Sequence, residues 1–173
     1  TPTRHSRHNY LPEVLRYSPL TRQSRNPIDF TPEAMEEAEK NVKRLYETLA
    51  LVAMELARPA PTGGAQATAE AEELAGLEAN WQAAMDDDLN TASALGHMNN
   101  MFRLAGRIME TKGLKKSAQA RDVLKQIFAN TKTWGAVLGL LQNEPAAFLA
   151  ELKDCKARRM NLDIGQVEAL ADR

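Results

Sequence analysis

The chain has one cysteine, Cys155, in 173 residues. That excludes an internal disulfide and any zinc site built from several cysteines. A single thiol fits a reducing, cytoplasmic setting. Aromatic residues are scarce: four Phe, three Tyr and two Trp are too few for an aromatic-rich β core. No apolar run approaches the roughly 20 residues of a membrane span. The opening TPTRHSRHNY lacks the apolar segment of a secretory signal. Charge of one sign is not in excess either. The net charge of −1 gives no global basic signal for nucleic acid. There is no phosphate-cradling glycine loop and no nucleophile elbow, because Gly63-Gly64 falls in a linker and not between a strand and a helix.

What the chain does have is helical periodicity. Asn9 to Leu20 reads as a short helix with Pro12 in its first turn and Pro19 near its end, followed by a turn at Asn26-Pro27. Thr31-Pro32-Glu33 is a helix start: a capping hydroxyl, a proline at the first helical position, then an acid. Met35, Ala38, Val42, Leu45, Leu49, Val52 and Leu56 then recur at spacings of three and four, which predicts one apolar seam along a helix of roughly 39 Å. RPAPTGGAQAT, residues 58–68, is a linker by composition. A second helix over about Ala69–Met85 turns Leu74, Leu77, Trp81 and Met85 inward. A third over Ala92–Lys112 buries Leu95, Met98, Phe102, Ala105 and Ile108 or Met109, with Gly113 as its C-cap. Ser117 is placed to cap a fourth, which buries Leu124, Ile127, Trp134, Leu138 and Leu141. Gly135 and Gly139 lie inside that pattern and predict close approach of a neighbouring helix. A short apolar segment with Phe148 and Leu152 follows. KDCKARRMNLD reads as a polar connector, and a last helix begins near Ile164. The expected fold is all-α: an antiparallel bundle of about four main helices with a short N-terminal appendage.

Three candidate chemistries arise from the residues. Asp86-Asp87-Asp88 is a run of like charge. Adjacent residues on a turn point in different directions and no partner acid cluster is evident, so helix capping and solvated charge outweigh Mg²⁺ binding. Asn90 and Thr91, directly after, are placed to cap the third helix. His5 and His8 have helical spacing but lack a third ligand, and His97 reads as a partly buried structural residue. Cys155, between Lys153 and Lys156, reads as a bystander thiol. The third chemistry is phosphate binding. Residues 1–30 carry five Arg (Arg4, Arg7, Arg16, Arg22, Arg25) against Glu13 and Asp29, so this segment has net charge +3 and the remainder −4. Arg103 and Arg107 share a helix face, Lys112, Lys115 and Lys116 follow, and Arg121 and Lys125 repeat the one-turn spacing. Such a face can follow an RNA backbone, and it can equally be a solvated surface.

Five strings occur in order: PEVLRY (Pro12–Tyr17), RNPIDFTPEAMEEA (Arg25–Ala38), RLYETL (Arg44–Leu49), AMDDDLNT (Ala84–Thr91) and VLGLLQNEPAAFL (Val137–Leu149). Together they resemble the C-terminal half of the bacterial cysteinyl-tRNA synthetase family, from about Leu11 to the end of the chain. The resemblance implies a division into a stem-contact-like connector at 1–30 and a DALR-type helical bundle at 31–152. After the bundle it places a connector and the start of an anticodon-recognition module at 153–173. The bundle would be of the kind found as the anticodon-binding domain of class I aminoacyl-tRNA synthetases. It also implies that the chain begins just downstream of a catalytic domain. The family's two ATP-site motifs and its zinc ligands are absent, so ATP and zinc are expected only in that domain and no cofactor or metal in this chain. The implied role is tRNA binding and scaffolding within a cysteine–tRNA ligase, with tRNA and the parent catalytic domain as partners and no membrane. The alternative is a structural domain that packs on the catalytic domain with little RNA contact. Arg16, Arg22 and Arg25 become the first candidates for phosphate contact, with Arg103, Arg107 and Lys115 behind them. The segment 18–24 replaces a more apolar stretch usual in the family, so a poorly packed appendage is expected.

Overall fold

The computed structural model describes residues 9–22 and 30–172. The expectations for His5, His8, Arg25 and the Asn26-Pro27 turn lie outside these residues. Seven helices are described in full: α1 (Pro12–Leu20), α2 (Pro32–Ala57), α3 (Thr68–Asp86), α4 (Thr91–Glu110), α5 (Lys112–Lys115), α6 (Ala118–Leu138) and α7 (Pro145–Ala171). No strand occurs among the described residues, and the fold is all-α.

α4 is the central helix, packed against α2, α3 and α6. Its Ala94, Leu95, Met98, Met101, Phe102, Leu104, Ala105 and Ile108 are all buried. Each large apolar side chain removed from water contributes about 1.5–3 kcal/mol. The α2 seam is buried from Met35 to Val52 and meets α1, α4, α6 and α7. Two aromatic pairs bridge helices. Trp81 on α3 stacks on Trp134 of α6 at 4.4 Å, and Tyr46 on α2 stacks on Phe148 of α7 at 3.9 Å.

Three local outcomes differ from the sequence reading. First, the run 153–163 is not a connector, because α7 continues through it for 27 residues. Ala, Lys, Arg, Met and Leu are good helix formers, and no proline interrupts them. Second, Gly139 is outside α6. It takes φ +70° as the left-handed C-cap, and the Leu140 amide donates back to the Gly135 carbonyl at 2.8 Å. The close approach at Gly135 therefore comes from the chain's own return, since a Cβ there would sit 2.5 Å from the Leu140 oxygen. Third, α4 ends at Glu110 with Thr111 as its cap, and Gly113 lies inside α5.

α1 is well packed. Val14 and Tyr17 are among the most buried residues, in one core with α2. Pro19 sits in its last turn. The segment 58–67 is irregular, yet it is strapped to the start of α6. The Ser117 hydroxyl donates to the Ala65 carbonyl at 2.6 Å, the Ala118 amide to Gly63, and the Ala67 amide to the Gln119 side chain. Gly64, at φ +91°, lies so close to the Lys116 carbonyl that a Cβ would be 2.5 Å from it.

The Asp86–Asn90 turn joins α3 to α4. Asp88 and Leu89 both have positive φ, 48° and 54°, and the Asn90 side chain accepts the Ser93 amide at 3.1 Å. That bond satisfies one of the orphan donors of the central helix. Asn90→Ala is expected to lower unfolding free energy by about 1 kcal/mol, measured by urea denaturation.

Candidate nucleic-acid interface

Six basic residues came forward from the sequence, and the fold gives them unequal surroundings. Arg16 is exposed, and its Nε donates to the Gly139 carbonyl at 3.0 Å. It thus serves the C-terminal end of α6, where a cation is favoured. Arg22 is half-buried beyond the end of α1 and is engaged within the protein. Arg25 lies outside the described residues. Arg103 is exposed and donates to the Asn100 side chain at 3.3 Å. Arg107 is paired with Glu73 of α3. Lys115 approaches Glu55 of α2 at 3.9 Å.

Arg121 does not join an outward basic face with Lys125. It is buried, with its guanidinium turned to the Arg58 and Pro59 carbonyls at 3.2 and 3.5 Å and to Glu55 at 3.7 Å. The spacing to Lys125 placed the two on one side, but the end of α2 covers Arg121. Arg16 and Lys115 sit at opposite ends of α6, a helix of 21 residues and so about 31 Å long. The candidates are therefore not one compact cluster. They bracket the bundle.

Asp86, Asp87 and Asp88 are exposed, and Asp86 accepts from Gln82 at 3.0 Å. Among the described residues no group of three His, Cys, Asp or Glu could hold a metal ion. Thr91 donates to the Leu20 carbonyl at 3.4 Å, tying the α4 start to the α1 end. His97 is half-buried against Ser93 at 3.3 Å, and the Cys155 thiol is buried, donating to the Asn9 carbonyl at 3.4 Å. No described helix is long and apolar enough to cross a membrane.

Three charged residues escaped the sequence reading. Arg58 ends α2 and, with Lys115 and Arg121, is one of three cations around Glu55; the Glu55–Arg58 spacing of three was the available signal. Arg159 holds Glu39 with two hydrogen bonds, 2.6 and 2.9 Å. Those bonds, opposed by burial, push its pKa further up. Glu13 is buried under α1, and burial raises its pKa against the hydrogen bonds from Tyr46 and the Leu141 amide. Burial likewise lifts the Tyr46 phenol well above its ordinary value.

Comparison with known proteins places this arrangement. Residues 80–142, which hold the end of α3, the aspartate turn, α4, α5 and α6, match the DALR domain. The cysteine–tRNA ligase of Nitratidesulfovibrio vulgaris (strain Miyazaki F) is 49% identical over 162 residues, covering 94% of this chain and 33% of that protein. That of Oleidesulfovibrio alaskensis is 48% identical over 161 residues, covering 93% of this chain and 33% of that protein. That of Lawsonia intracellularis is 34% identical over the same span of 161 residues. The chain spans about one third of the length of the curated relatives it matches. Residues 80–142 thus carry a DALR domain, and nearly the whole chain is similar to about one third of the length of cysteine–tRNA ligases.

Proposed function

We propose that this chain is the tRNA-contacting and scaffolding portion of a cysteine–tRNA ligase. The observation that carries the reading is the 48–49% identity across nearly the whole chain to ligases that act on a tRNA. The parent reaction attaches cysteine to its tRNA with ATP. In this reading that chemistry belongs to a catalytic domain elsewhere, which would also hold any zinc, and the chain alone is inactive. The parent enzyme works in the cytoplasm. α2, 26 residues and about 39 Å long, and its packed partners supply a stiff spacer between separated contacts. The division into a connector at 1–30, a bundle at 31–152 and a further module from 153 remains part of the proposal.

A second reading, a domain that packs on the catalytic part with little RNA contact, draws support from Arg16 and Arg107. Both already serve intramolecular partners. Ionic strength separates the two. Direct contact with about four phosphates predicts that the logarithm of tRNA affinity falls with the logarithm of salt at a slope near −3. Fluorescence anisotropy of a labelled cysteine-accepting tRNA between 50 and 200 mM salt measures it. Absence of salt-sensitive binding favours the packing domain.

A further inference from the structure

We infer that the end of the bundle bearing Arg58, Lys112, Lys115 and Lys116 is a phosphate-binding patch for the RNA backbone. The inference rests on the tRNA-binding reading and adds to it the place of contact.

The observation is a charge imbalance around one carboxylate. Glu55 is buried, and Arg58, Lys115 and Arg121 converge on it at 3.6, 3.9 and 3.7 Å. One carboxylate neutralises one cation. Arg121 has 5% of its side chain exposed and also donates to two backbone carbonyls, so it is committed to the fold. Arg58 and Lys115 are different. Their side chains are 60% and 42% exposed, and both stand farther from Glu55 than the roughly 2.7–2.9 Å of a strong charge-assisted hydrogen bond. Their donors remain available to an outside anion. Lys112 and Lys116 are exposed on the same short α5 segment. Five cations against Glu55, Glu110 and Asp122 leave this end with an excess of +2.

The patch is also held in place. Gly64 presses on the Lys116 carbonyl, and the 58–67 strap is bonded to Ser117, Ala118 and Gln119. Cations that need no reordering lose less on binding. Helix-end amides are not the attraction. The Ala118 amide is taken by Gly63 at 2.7 Å and the Ala120 amide by Ser117 at 3.1 Å. The attraction is side-chain charge, which suits a repeated phosphate backbone over a single small anion.

The test is the double variant Arg58→Gln/Lys116→Gln of this chain, titrated with a cysteine-accepting tRNA transcript over a salt series. The control is Lys153→Gln/Arg158→Gln on α7, which removes the same charge elsewhere. The expected result is roughly tenfold weaker binding near 0.1 M salt and a slope shallower by about 1.5, with the control close to the unaltered chain. Lys112→Gln/Lys116→Gln, which leaves the Glu55 cluster intact, gives the same loss should the first variant melt early. An unchanged slope in both variants, or an equal loss in the control, overturns the patch and leaves tRNA binding standing. No salt-sensitive binding by the unaltered chain overturns both.

Discussion

Arg159→Ala is expected to lower the unfolding free energy of this chain by about 3–5 kcal/mol, the cost of leaving a buried charge without its partner. The stranded group is Glu39. Its side chain is 7% exposed and Arg159 is 11% exposed, so water cannot take over the two hydrogen bonds. The same guanidinium donates to the Asn9 carbonyl at 3.0 Å and lies 4.2 Å over the Tyr10 ring. One substitution therefore loosens α7 from both α2 and the segment ahead of α1. Glu39→Leu/Arg159→Met separates charge stranding from lost packing. It removes both charges and is expected to recover most of the loss, because an apolar pair of similar volume is often no worse than a buried ion pair. Urea unfolding of the three proteins measures this. A loss below about 1 kcal/mol in Arg159→Ala means the pair behaves as a solvated surface bridge.

That residue also shows where sequence reasoning stopped. The apolar seams of α2, α4 and α6 were legible because their burial follows from local spacing. Met35 through Val52 lie inward as the three-and-four rhythm demands. Thr31, Asn90 and Ser117 each accept an amide at the start of a helix, and such caps depend on only four residues. Beyond Leu152 the spacing of three and four continues through Cys155 and Arg159, but in a thiol and a cation that do not read as an apolar seam. The partner of Arg159, Glu39, is 120 residues away, and no local pattern encodes that. The same limit applied to the basic candidates. Spacing grouped Arg121 with Lys125 and Arg103 with Arg107. It could not show that Arg121 is covered by the end of α2 or that Arg107 meets Glu73 across to α3. Arg58 was overlooked because a linker residue gives no face to assign. Only the strap of 58–67 onto α6 brings it beside Lys115 and Lys116.

The pH dependence of stability is expected to carry the mark of Glu13. This carboxyl is buried; its Oε1 accepts from the Tyr46 hydroxyl at 2.9 Å and the Leu141 amide at 3.1 Å, while its Oε2 has no partner. Tyr46 in turn accepts from Asn143, so one acid holds α1 against α2 and against the α6–α7 corner, where Leu141 takes φ +58°. Desolvation raises its pKa above the ordinary 4.5. The folded state thus binds the proton more tightly than the unfolded chain. Its contribution is fully present below the unfolded pKa and is lost as pH rises through the folded one. The effect is read as a difference between proteins, which cancels the contribution of every other titrating group. Glu13→Gln keeps the acceptor oxygen and carries an unpartnered donor where the protonated acid also has one. It should match the unaltered chain near pH 4 and become relatively more stable above about pH 4.5. Inside the window the gap widens by about 1.4 kcal/mol per pH unit. Glu13→Ala strands the Leu141 amide and the Tyr46 hydroxyl together and is expected to cost about 2–5 kcal/mol near pH 4, a cost that shrinks above about pH 4.5 with the same slope because alanine does not titrate either. Denaturant unfolding from pH 4 to 8 checks both. A Gln-minus-Glu difference that stays flat over that range means the acid is solvated in the folded chain, and the polar junction under α1 then has no titrating member.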